Sequence, residues 1–173
     1  MGWDASILLF IQEFIRNDIL TPIFLFITHL GDKGMIWIVL SVLLLTSKKT
    51  RKTGIMGLLA LLGSLLINNM LVKNLVARPR PFYVIEDLRI LIDTPSEFSF
   101  PSGHTASSFA AAFVFLRNLP KKYGIPAIVL AALIGLSRLY IGVHYPTDVL
   151  FGVLSGWLLS LLAEKLVRIF GKT

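Results

Sequence analysis

The chain has 173 residues, of which 55% are hydrophobic and only 16% charged, and its mean hydropathy is +0.76. Soluble domains carry about a quarter charged residues, so this composition excludes an ordinary soluble domain and indicates a single membrane-embedded domain over residues 1–173. The absence of cysteine excludes disulfides and thiolate–metal sites. The net charge of +7 leaves nucleic acid and the membrane surface as partners until the basic residues are located.

The first thirty residues mix apolar and charged side chains. Residues 3–16 carry apolar side chains at helical spacing, interrupted by several polar ones. A continuous span over 5–30 would bury those polar groups in hydrocarbon at a high cost. We therefore predict an interfacial amphipathic helix over 3–16 and a short, partly inserted helix over 19–30. A sixth full span is the alternative.

Five later segments have the character of membrane-spanning helices. A span needs about 20 mainly apolar residues, and three of the segments meet this length. Two are shorter, and one of these is rich in Ala and Ser, as expected for a helix packed inside a bundle. The predicted spans are 34–47, 54–72, 103–116, 123–142 and 148–167. The predicted fold class is therefore all-α, a polytopic bundle of five or six transmembrane helices.

Basic residues cluster in the connections that lie on one side of this bundle. The clusters are KKTRK (48–52), Arg117 with Lys121 and Lys122, and Lys165 with Arg168 and Lys172. If the spans alternate in direction, the positive-inside rule makes this side cytoplasmic. The clusters account for the net charge, so no nucleic-acid partner is predicted. The other polar segments then face the external side.

The segment SRLYIGVHYPTD (137–148) places an Arg, a His and an Asp between two apolar runs. Pro146 favours the first turn of a helix, so the last span is expected to begin there. A backbone turn at this point would let the Asp148 carboxylate reach one nitrogen of His144 and free the other as a nucleophile or base. A carboxylate in the first turn also stabilises a helix, so the sequence leaves both roles open for Asp148.

A second polar segment, FPSGHTAS, indicates the start of the 103–116 helix. Ser102 suits the N-cap, and Gly103 would let an anion approach the free backbone N–H groups, which bind phosphate at such positions. His104 would then stand beside the anion and could donate a proton. A capped helix with an exposed His is the alternative.

Four cations are predicted on the external face, against the positive-inside bias: Lys73, Arg78, Arg80 and Arg138. Arg side chains suit phosphate oxygens, and Lys acts as a point charge, although a Lys at a helix end can also snorkel. With two histidines and backbone donors, these cations are the groups that phosphoryl transfer through a phosphohistidine requires. No carboxylate cluster indicates a bound metal.

These motifs resemble those of the type 2 phosphatidic acid phosphatase family, part of the superfamily shared with vanadium haloperoxidases. The family pattern is K-x6-R-P, then P-S-G-H, then S-R-x5-H-x3-D. It is matched in type, spacing and order by KNLVARPRP from 73, PSGH at 101–104 and SRLYIGVHYPTD at 137–148.

The resemblance implies that His144 is the nucleophile, that Asp148 orients it and that His104 protonates the leaving oxygen. It implies that the following residues bind the substrate phosphate: Lys73, Arg80, Ser102, Gly103 and Arg138. Arg78 lies outside the strict pattern and is a further phosphate-binding candidate. The family needs no metal, and no cofactor is predicted.

The implied function is that of a metal-independent membrane lipid phosphatase in the plasma membrane, with its site on the external side. Undecaprenyl diphosphate is the favoured substrate, and phosphatidic acid or phosphatidylglycerol phosphate are the alternatives. An anion-binding membrane transporter and a haloperoxidase are hypotheses of other classes. The bilayer and the lipid phosphate are the expected partners, and the oligomeric state is left open.

Overall fold

The computed structural model describes residues 2–170, and every regular element among them is helical. In chain order the helices are α1 (Trp3–Phe10), α2 (Leu20–Leu30), α3 (Met35–Leu45), α4 (Arg51–Gly63), α5 (Lys73–Val76), α6 (Pro81–Val84), α7 (Gly103–Asn118), α8 (Lys121–Tyr140) and α9 (Pro146–Phe170). A π-helical segment, Ile11–Ile15, extends α1, and another, Ser64–Val72, joins α4 to α5. A 3₁₀ turn, Asp32–Gly34, joins α2 to α3. The predicted all-α class is therefore confirmed.

The helices occupy the segments that the hydrophobic pattern predicts, but the structure supports fewer complete spans. Three helical stretches among the described residues are long and apolar enough to cross a membrane: Arg51–Val84, Lys121–Tyr140 and Pro146–Phe170. The stretches Leu20–Leu30 and Asp32–Leu45, bent by 44°, would together make a fourth. The segments predicted as spans at 34–47 and 103–116 form helices of 11 and 16 residues, shorter than the roughly 20 that a straight crossing needs.

Helix α7 is the centre of the bundle. It packs against α8, α9 and α4, and also contacts α3. Half of its residues are Gly, Ala, Ser or Thr, and Ala106, Ala110, Ala111 and Ala112 are fully buried. Small side chains let neighbouring helices approach closely. The Ala- and Ser-rich segment is therefore an internal helix, as its composition predicts.

Two glycines of α9 bring that helix against the backbone of α7. A Cβ atom on Gly156 would lie 2.8 Å from the Ala106 carbonyl oxygen and 2.9 Å from the Ala110 nitrogen. A Cβ atom on Gly152 would lie 3.1 Å from the Ser102 carbonyl oxygen. This contact sets the N-terminus of α9 beside the N-terminus of α7.

The N-terminal segment packs against the same end of the bundle. Asp4 of α1 accepts hydrogen bonds from the Thr147 backbone N–H (3.2 Å) and hydroxyl (2.6 Å). Arg16 donates to the carbonyl oxygens of Tyr140 (2.7 Å) and Arg89 (2.6 Å). Large apolar side chains of this segment remain exposed: Trp3, Phe10 and Phe14. The segment therefore contacts the protein through Asp4, Arg16 and the buried Leu8, and turns its large exposed apolar side chains away from it.

We expect Gly156→Ala to destabilise the protein, because the added methyl group meets backbone atoms that cannot move aside. Overpacking of this kind typically costs about 1–3 kcal/mol. Gly135→Ala is the matched control, since its Cβ would meet only side-chain atoms, at 3.4 Å and beyond. Thermal unfolding in detergent measures the difference. Equal melting temperatures for the two variants would contradict the close contact between α7 and α9.

Candidate active site

Three cations of the predicted set come together where the C-terminus of α8 meets the N-termini of α7 and α9. Lys73, Arg80 and Arg138 are 5%, 4% and 4% exposed. Arg80 donates to the carbonyl oxygens of Glu97 (2.7 Å) and Val143 (3.0 Å). Arg138 donates to the Thr28 hydroxyl at 2.7 Å. Within residues 2–170, only Lys73 of the three forms an ion pair, with the Glu97 carboxylate at 2.6 Å.

The local sequence explains how Arg80 enters this cluster. Helix α5 ends at Val76, and Ala77 has a left-handed conformation with φ of 47°. The following RPRP segment cannot continue a helix, because a residue before proline favours extended backbone. Arg78 and Arg80 are two residues apart and would lie on the same face of an unbroken strand. Here the chain turns between them, and the two side chains contact different neighbours. Arg80 lines the pocket described next, and Arg78 contacts Asp148 instead.

A pocket of about 790 Å³ opens beside the cations. Its polar end is lined by Lys73, Arg80, Arg138, His104 and His144. Its other end is lined by apolar side chains of α3 and α4 and the segment after α4: Ile38, Leu58, Leu61, Leu62 and Leu65. The pocket therefore joins a positively charged end to an apolar groove, a combination that suits an amphiphile with an anionic head.

His144 and Asp148 are both buried at the polar end, with His144 2% and Asp148 0% exposed. Asp148 Oδ2 lies 3.4 Å from His144 Nδ1, which is ion-pair proximity, and Nδ1 has no hydrogen-bond partner in the described chain. His144 Nε2 faces Arg80 NH1 at 3.4 Å. Burial lowers the pKa of His144 to about 3, although Asp148 acts to raise it. The imidazole is therefore uncharged near neutral pH, the form in which it can act as a nucleophile.

The Asp148 carboxylate serves the helix as well as the histidine. Its Oδ2 accepts from the Tyr145 backbone N–H at 2.9 Å, and α9 begins at Pro146, as the sequence predicts. This is the return bond of a capping box. The Ser99 hydroxyl also donates to Oδ2. The two roles that the sequence leaves open for this carboxylate are thus geometrically compatible.

Arg78 lies on the outer side of Asp148. Its NH1 donates to Asp148 Oδ1 and to the Thr147 hydroxyl, both at 2.7 Å. Its NH2 pairs with Asp4 of α1 at 3.0 Å, and its guanidinium stacks on the Tyr145 ring at 3.7 Å. The N-terminal helix is therefore linked through Arg78 to Asp148.

The start of α7 has the predicted N-cap. The Ser102 side chain accepts from the Thr105 backbone N–H, and Ser102 is fully buried. Gly103 lines the pocket, where a Cβ atom would lie 2.7 Å from Asn69 Oδ1. The glycine thus lets Asn69 approach the start of the helix. Asn69 Oδ1 is buried without a hydrogen-bond partner among residues 2–170.

His104 has a partner that the sequence analysis does not anticipate. Its Nε2 lies 2.9 Å from Asp32 Oδ1, and the other oxygen, Oδ2, lies 2.9 Å from His29 Nδ1. His29, which lies outside the three motifs, is thus joined to His104 through one carboxylate. The HxxD spacing of His29 and Asp32 is the one sequence signal that could have indicated this pair.

Glu97 is a second carboxylate that the motifs do not contain. Its side chain is 66% exposed and pairs with Lys73, which holds the pKa of the Glu97 carboxyl below its usual range. The carboxylate therefore stays charged near neutral pH. It lies at the polar end of the pocket, where it competes with any anion for Lys73.

The pattern of the PAP2 superfamily matches residues 54–171. The chain belongs to the PAP2 superfamily. A PAP2 protein from Bacillus subtilis, a transmembrane phosphatidylglycerolphosphate phosphatase of known crystal structure, is similar over 98% of this chain and 86% of that one, with 32% identity and a TM-score of 0.78.

Two other proteins that are similar to the present chain carry the name undecaprenyl-diphosphatase. The one from Sulfolobus acidocaldarius is 33% identical over 147 residues, 85% of this chain and 70% of that protein. The enzyme BcrC of Bacillus subtilis is 34% identical over 140 residues, 78% of this chain and 68% of that protein. These similarities support the assignment of the chain as a PAP2 lipid phosphatase in a membrane. The names of the relatives give different substrates.

We expect Glu97→Gln to tighten the binding of orthovanadate or inorganic phosphate, because Lys73 no longer has a carboxylate partner. A partly exposed ion pair contributes up to about 1 kcal/mol, so the dissociation constant should fall by roughly twofold to fivefold. The lowered pKa of Glu97 implies that the gain persists across the neutral range and disappears at acidic pH, where the carboxyl is protonated. Calorimetric titration of the purified protein gives the constants.

The matched control is Glu86→Gln, which removes the same charge from an exposed position on the same connection. It should leave the dissociation constant unchanged. An equal gain in both variants would show that only the net charge matters and that the pair with Lys73 does not compete.

Proposed function

We propose that the protein is a phosphatase that removes the terminal phosphate of a membrane lipid on the external leaflet, without a metal, through a phosphohistidine on His144. Undecaprenyl diphosphate is the proposed natural substrate. A phosphatidylglycerol phosphate phosphatase is the second candidate, favoured by the similarity to a solved structure of that activity.

One observation carries this proposal: three buried cations and an uncharged histidine meet at the end of a pocket whose other end is apolar. Buried charges are costly unless they are paired, and within residues 2–170 the three cations share one ion pair, that of Lys73 with Glu97. A phosphate group of two negative charges suits that excess. The apolar groove supports a lipid tail as the remainder of the substrate.

The proposed chemistry assigns each group a step. Lys73, Arg80 and Arg138 bind the phosphate oxygens, with the backbone N–H of Gly103, and neutralise the charge that develops in the transition state. Ser102 holds the start of this helix, since its side chain accepts from Thr105 and its own N–H donates to the Asp148 carbonyl oxygen. His144 Nε2 attacks phosphorus, and Asp148 keeps Nδ1 oriented behind it. His104 protonates the leaving oxygen and then takes a proton from the water that hydrolyses the phosphohistidine.

Arg78 receives a different role from the one its sequence position suggests. Its contacts with Asp4 and Asp148 support a function in holding the Asp148 carboxylate, in place of direct contact with phosphate. By pairing with Asp148, it also reduces the negative charge that His144 experiences. That keeps His144 in the uncharged state that nucleophilic attack requires.

The substrate assignment is tested on the purified protein in detergent with EDTA present. Phosphate release is measured from undecaprenyl diphosphate, phosphatidic acid and phosphatidylglycerol phosphate. We expect the highest kcat/KM on undecaprenyl diphosphate. A large preference for phosphatidylglycerol phosphate would make the second candidate correct, and loss of activity in EDTA would contradict metal independence. A folded protein that hydrolyses none of them would favour the anion transporter.

We expect His144→Ala to abolish phosphate release from every substrate in this panel, because no other group replaces the nucleophile. His144→Gln, which fills more of the buried site, should be equally inactive, and its melting temperature shows whether the fold is intact. Activity above a small fraction of the wild-type rate in a folded variant would exclude His144 as the nucleophile.

The proposed membrane arrangement has five spans, with 3–16 as an interfacial helix on the external surface. The exposed Trp3, Phe10 and Phe14 support contact with lipid, while Asp4 and Arg16 bond to the site end of the bundle. The basic clusters lie towards the other end and support a cytoplasmic location, although Lys172 lies outside the described residues. The site would then face the outside of the plasma membrane.

The topology is tested with single cysteines, since the natural chain has none. Lys49→Cys should resist an impermeant thiol reagent in intact cells and react after permeabilisation, and Glu86→Cys should react in both cases. Both positions are exposed, so access depends on the side of the membrane. The opposite labelling pattern would place the site on the cytoplasmic leaflet.

A further inference from the structure

The turn between α2 and α3 brings a carboxylate to His104 from a part of the sequence that carries none of the motif residues. Asp32 Oδ1 lies 2.9 Å from His104 Nε2, and Asp32 Oδ2 lies 2.9 Å from His29 Nδ1. The Asp32 side chain is 51% exposed and that of His104 is 21% exposed. Asp32 therefore occupies a position relative to His104 like that of Asp148 relative to His144.

The contacts of Asp32 are directed to the two histidines and do not serve the turn. No backbone N–H within the described chain donates to its carboxylate, and the 3₁₀ segment that it opens has no side-chain cap. A turn residue whose carboxylate had a structural role would bond the backbone two or three residues away. The carboxylate is therefore available to act on His104.

The backbone of the turn is shaped for this approach. A Cβ atom on Gly31 would lie 2.9 Å from His104 Cδ2, the ring carbon beside Nε2, so glycine lets the turn reach the imidazole. Lys33 follows Asp32 with φ of 52°, a conformation that costs energy in a residue other than glycine. Gly34 completes the turn with φ of 69°.

We propose that Asp32 is a positioning residue of the phosphatase reaction, which holds His104 by Nε2 and stabilises its protonated form, so that Nδ1 delivers the proton to the leaving lipid oxygen. This rests on the proposed function, in which His104 is the general acid.

The protons balance in this scheme. As His144 Nε2 forms its bond to phosphorus, the bond from phosphorus to the lipid oxygen breaks, and the electron pair of that bond stays on the oxygen. The oxygen takes the proton of His104 Nδ1. The neutral imidazole keeps its Nε2 proton, which is hydrogen-bonded to Asp32, so the lone pair on Nδ1 can accept a proton from the water that attacks the phosphohistidine. That attack forms a bond from phosphorus to the water oxygen and breaks the bond from phosphorus to His144 Nε2, and the electron pair of the broken bond returns to the nitrogen. His104 is then protonated again, and no further acid is consumed.

The charges around His104 determine the sign of the effect of Asp32. The groups that face it are Asp32 and Lys33 on the turn, His29 behind Asp32, Lys73 on α5, Glu97 on the connection before α7, and Arg138 on α8. Burial and the cations oppose a positive charge on His104, and within the described chain Asp32 is the carboxylate in direct contact with it. Removing the Asp32 charge should therefore make His104 lose its proton at a lower pH.

The experiment compares Asp32→Asn with His104→Ala on two substrates with different leaving groups. A general acid contributes roughly a hundredfold to ten-thousandfold, and it matters most for a poor leaving group such as the alkoxide of phosphatidic acid. On phosphatidic acid, Asp32→Asn should lose a part of this contribution of the general acid, and its kcat should fall by about tenfold or more. On p-nitrophenyl phosphate, whose leaving group departs without a proton, the loss should be small. That retained activity also shows that the variant is folded.

The pH profile separates positioning from a structural effect. The rate on phosphatidic acid requires protonated His104, so it falls as the pH rises. In Asp32→Asn this descending limb should move to lower pH by about one unit or more. Asp32→Glu, which keeps the charge, should restore much of the wild-type limb. Asp18→Asn removes an equal charge at an exposed position and should change neither rate nor limb.

The outcomes separate this inference from the proposed function. If His104→Ala shows the leaving-group pattern but Asp32→Asn keeps the wild-type rates and limb, the role of Asp32 is wrong and the general acid stands. If Asp32→Asn loses the same factor on both substrates, Asp32 supports the fold and the inference is also wrong. If His104→Ala itself loses one factor on every substrate, the acid assignment fails, and the role of Asp32 fails with it.

Discussion

The burial of three cations in one pocket is the constraint on which the rest of the site depends. Arg80 donates to the carbonyl oxygens of Glu97 and Val143, and Arg138 donates to the Thr28 hydroxyl, while Arg138 Nε is buried without a hydrogen-bond partner among residues 2–170. Within the described chain the cluster has one ion pair, with Glu97, whose side chain is mostly exposed. Such an arrangement stabilises the folded protein poorly but suits the binding of a dianion, because the desolvation of the cations has already occurred on folding.

The cations are useful only if the histidines are held beside them, and the contact between α7 and α9 does this. Gly152 and Gly156 remove the side chains that would separate the helices, so the two N-termini lie together. Ser102 at one N-terminus donates its backbone N–H to the Asp148 carbonyl oxygen in the other, at 3.2 Å. Both helix dipoles then direct their positive ends towards the same region, which further favours an anion there. The packing of the bundle and the electrostatics of the site are thus consequences of the same two glycines.

The sequence predicts those features that are local in the chain. The start of α9 at Pro146 and the N-cap at Ser102 each depend on a few adjacent residues, and the structure contains both. The contacts of Asp32 and Glu97 could not be predicted from the sequence. Asp32 meets His104 across 72 residues and Glu97 meets Lys73 across 24 residues, and no periodic pattern relates either pair. Length and composition support three or four spans within residues 2–170, because an apolar segment such as α7 can form a short helix inside the bundle. The count of five spans therefore stays a prediction.

The two aspartate–histidine pairs, Asp148 with His144 and Asp32 with His104, are similar in kind but differ in their surroundings. Asp148 is fully buried and forms an ion pair with Arg78 at 2.7 Å, so this pair compensates much of the negative charge that would otherwise act on His144. Burial then dominates, and His144 is uncharged near neutral pH, as the proposed nucleophilic role requires. Asp32 is half exposed, and its partners among the described residues are histidines, with no Lys or Arg in contact. Its charge is therefore available to a proton on His104. Burial and the nearby cations oppose a positive charge on His104 as well, so in the proposed mechanism Asp32 is the group that favours its protonated form. The two pairs thus differ in the burial of the carboxylate and in the guanidinium of Arg78, which contacts Asp148 and not Asp32.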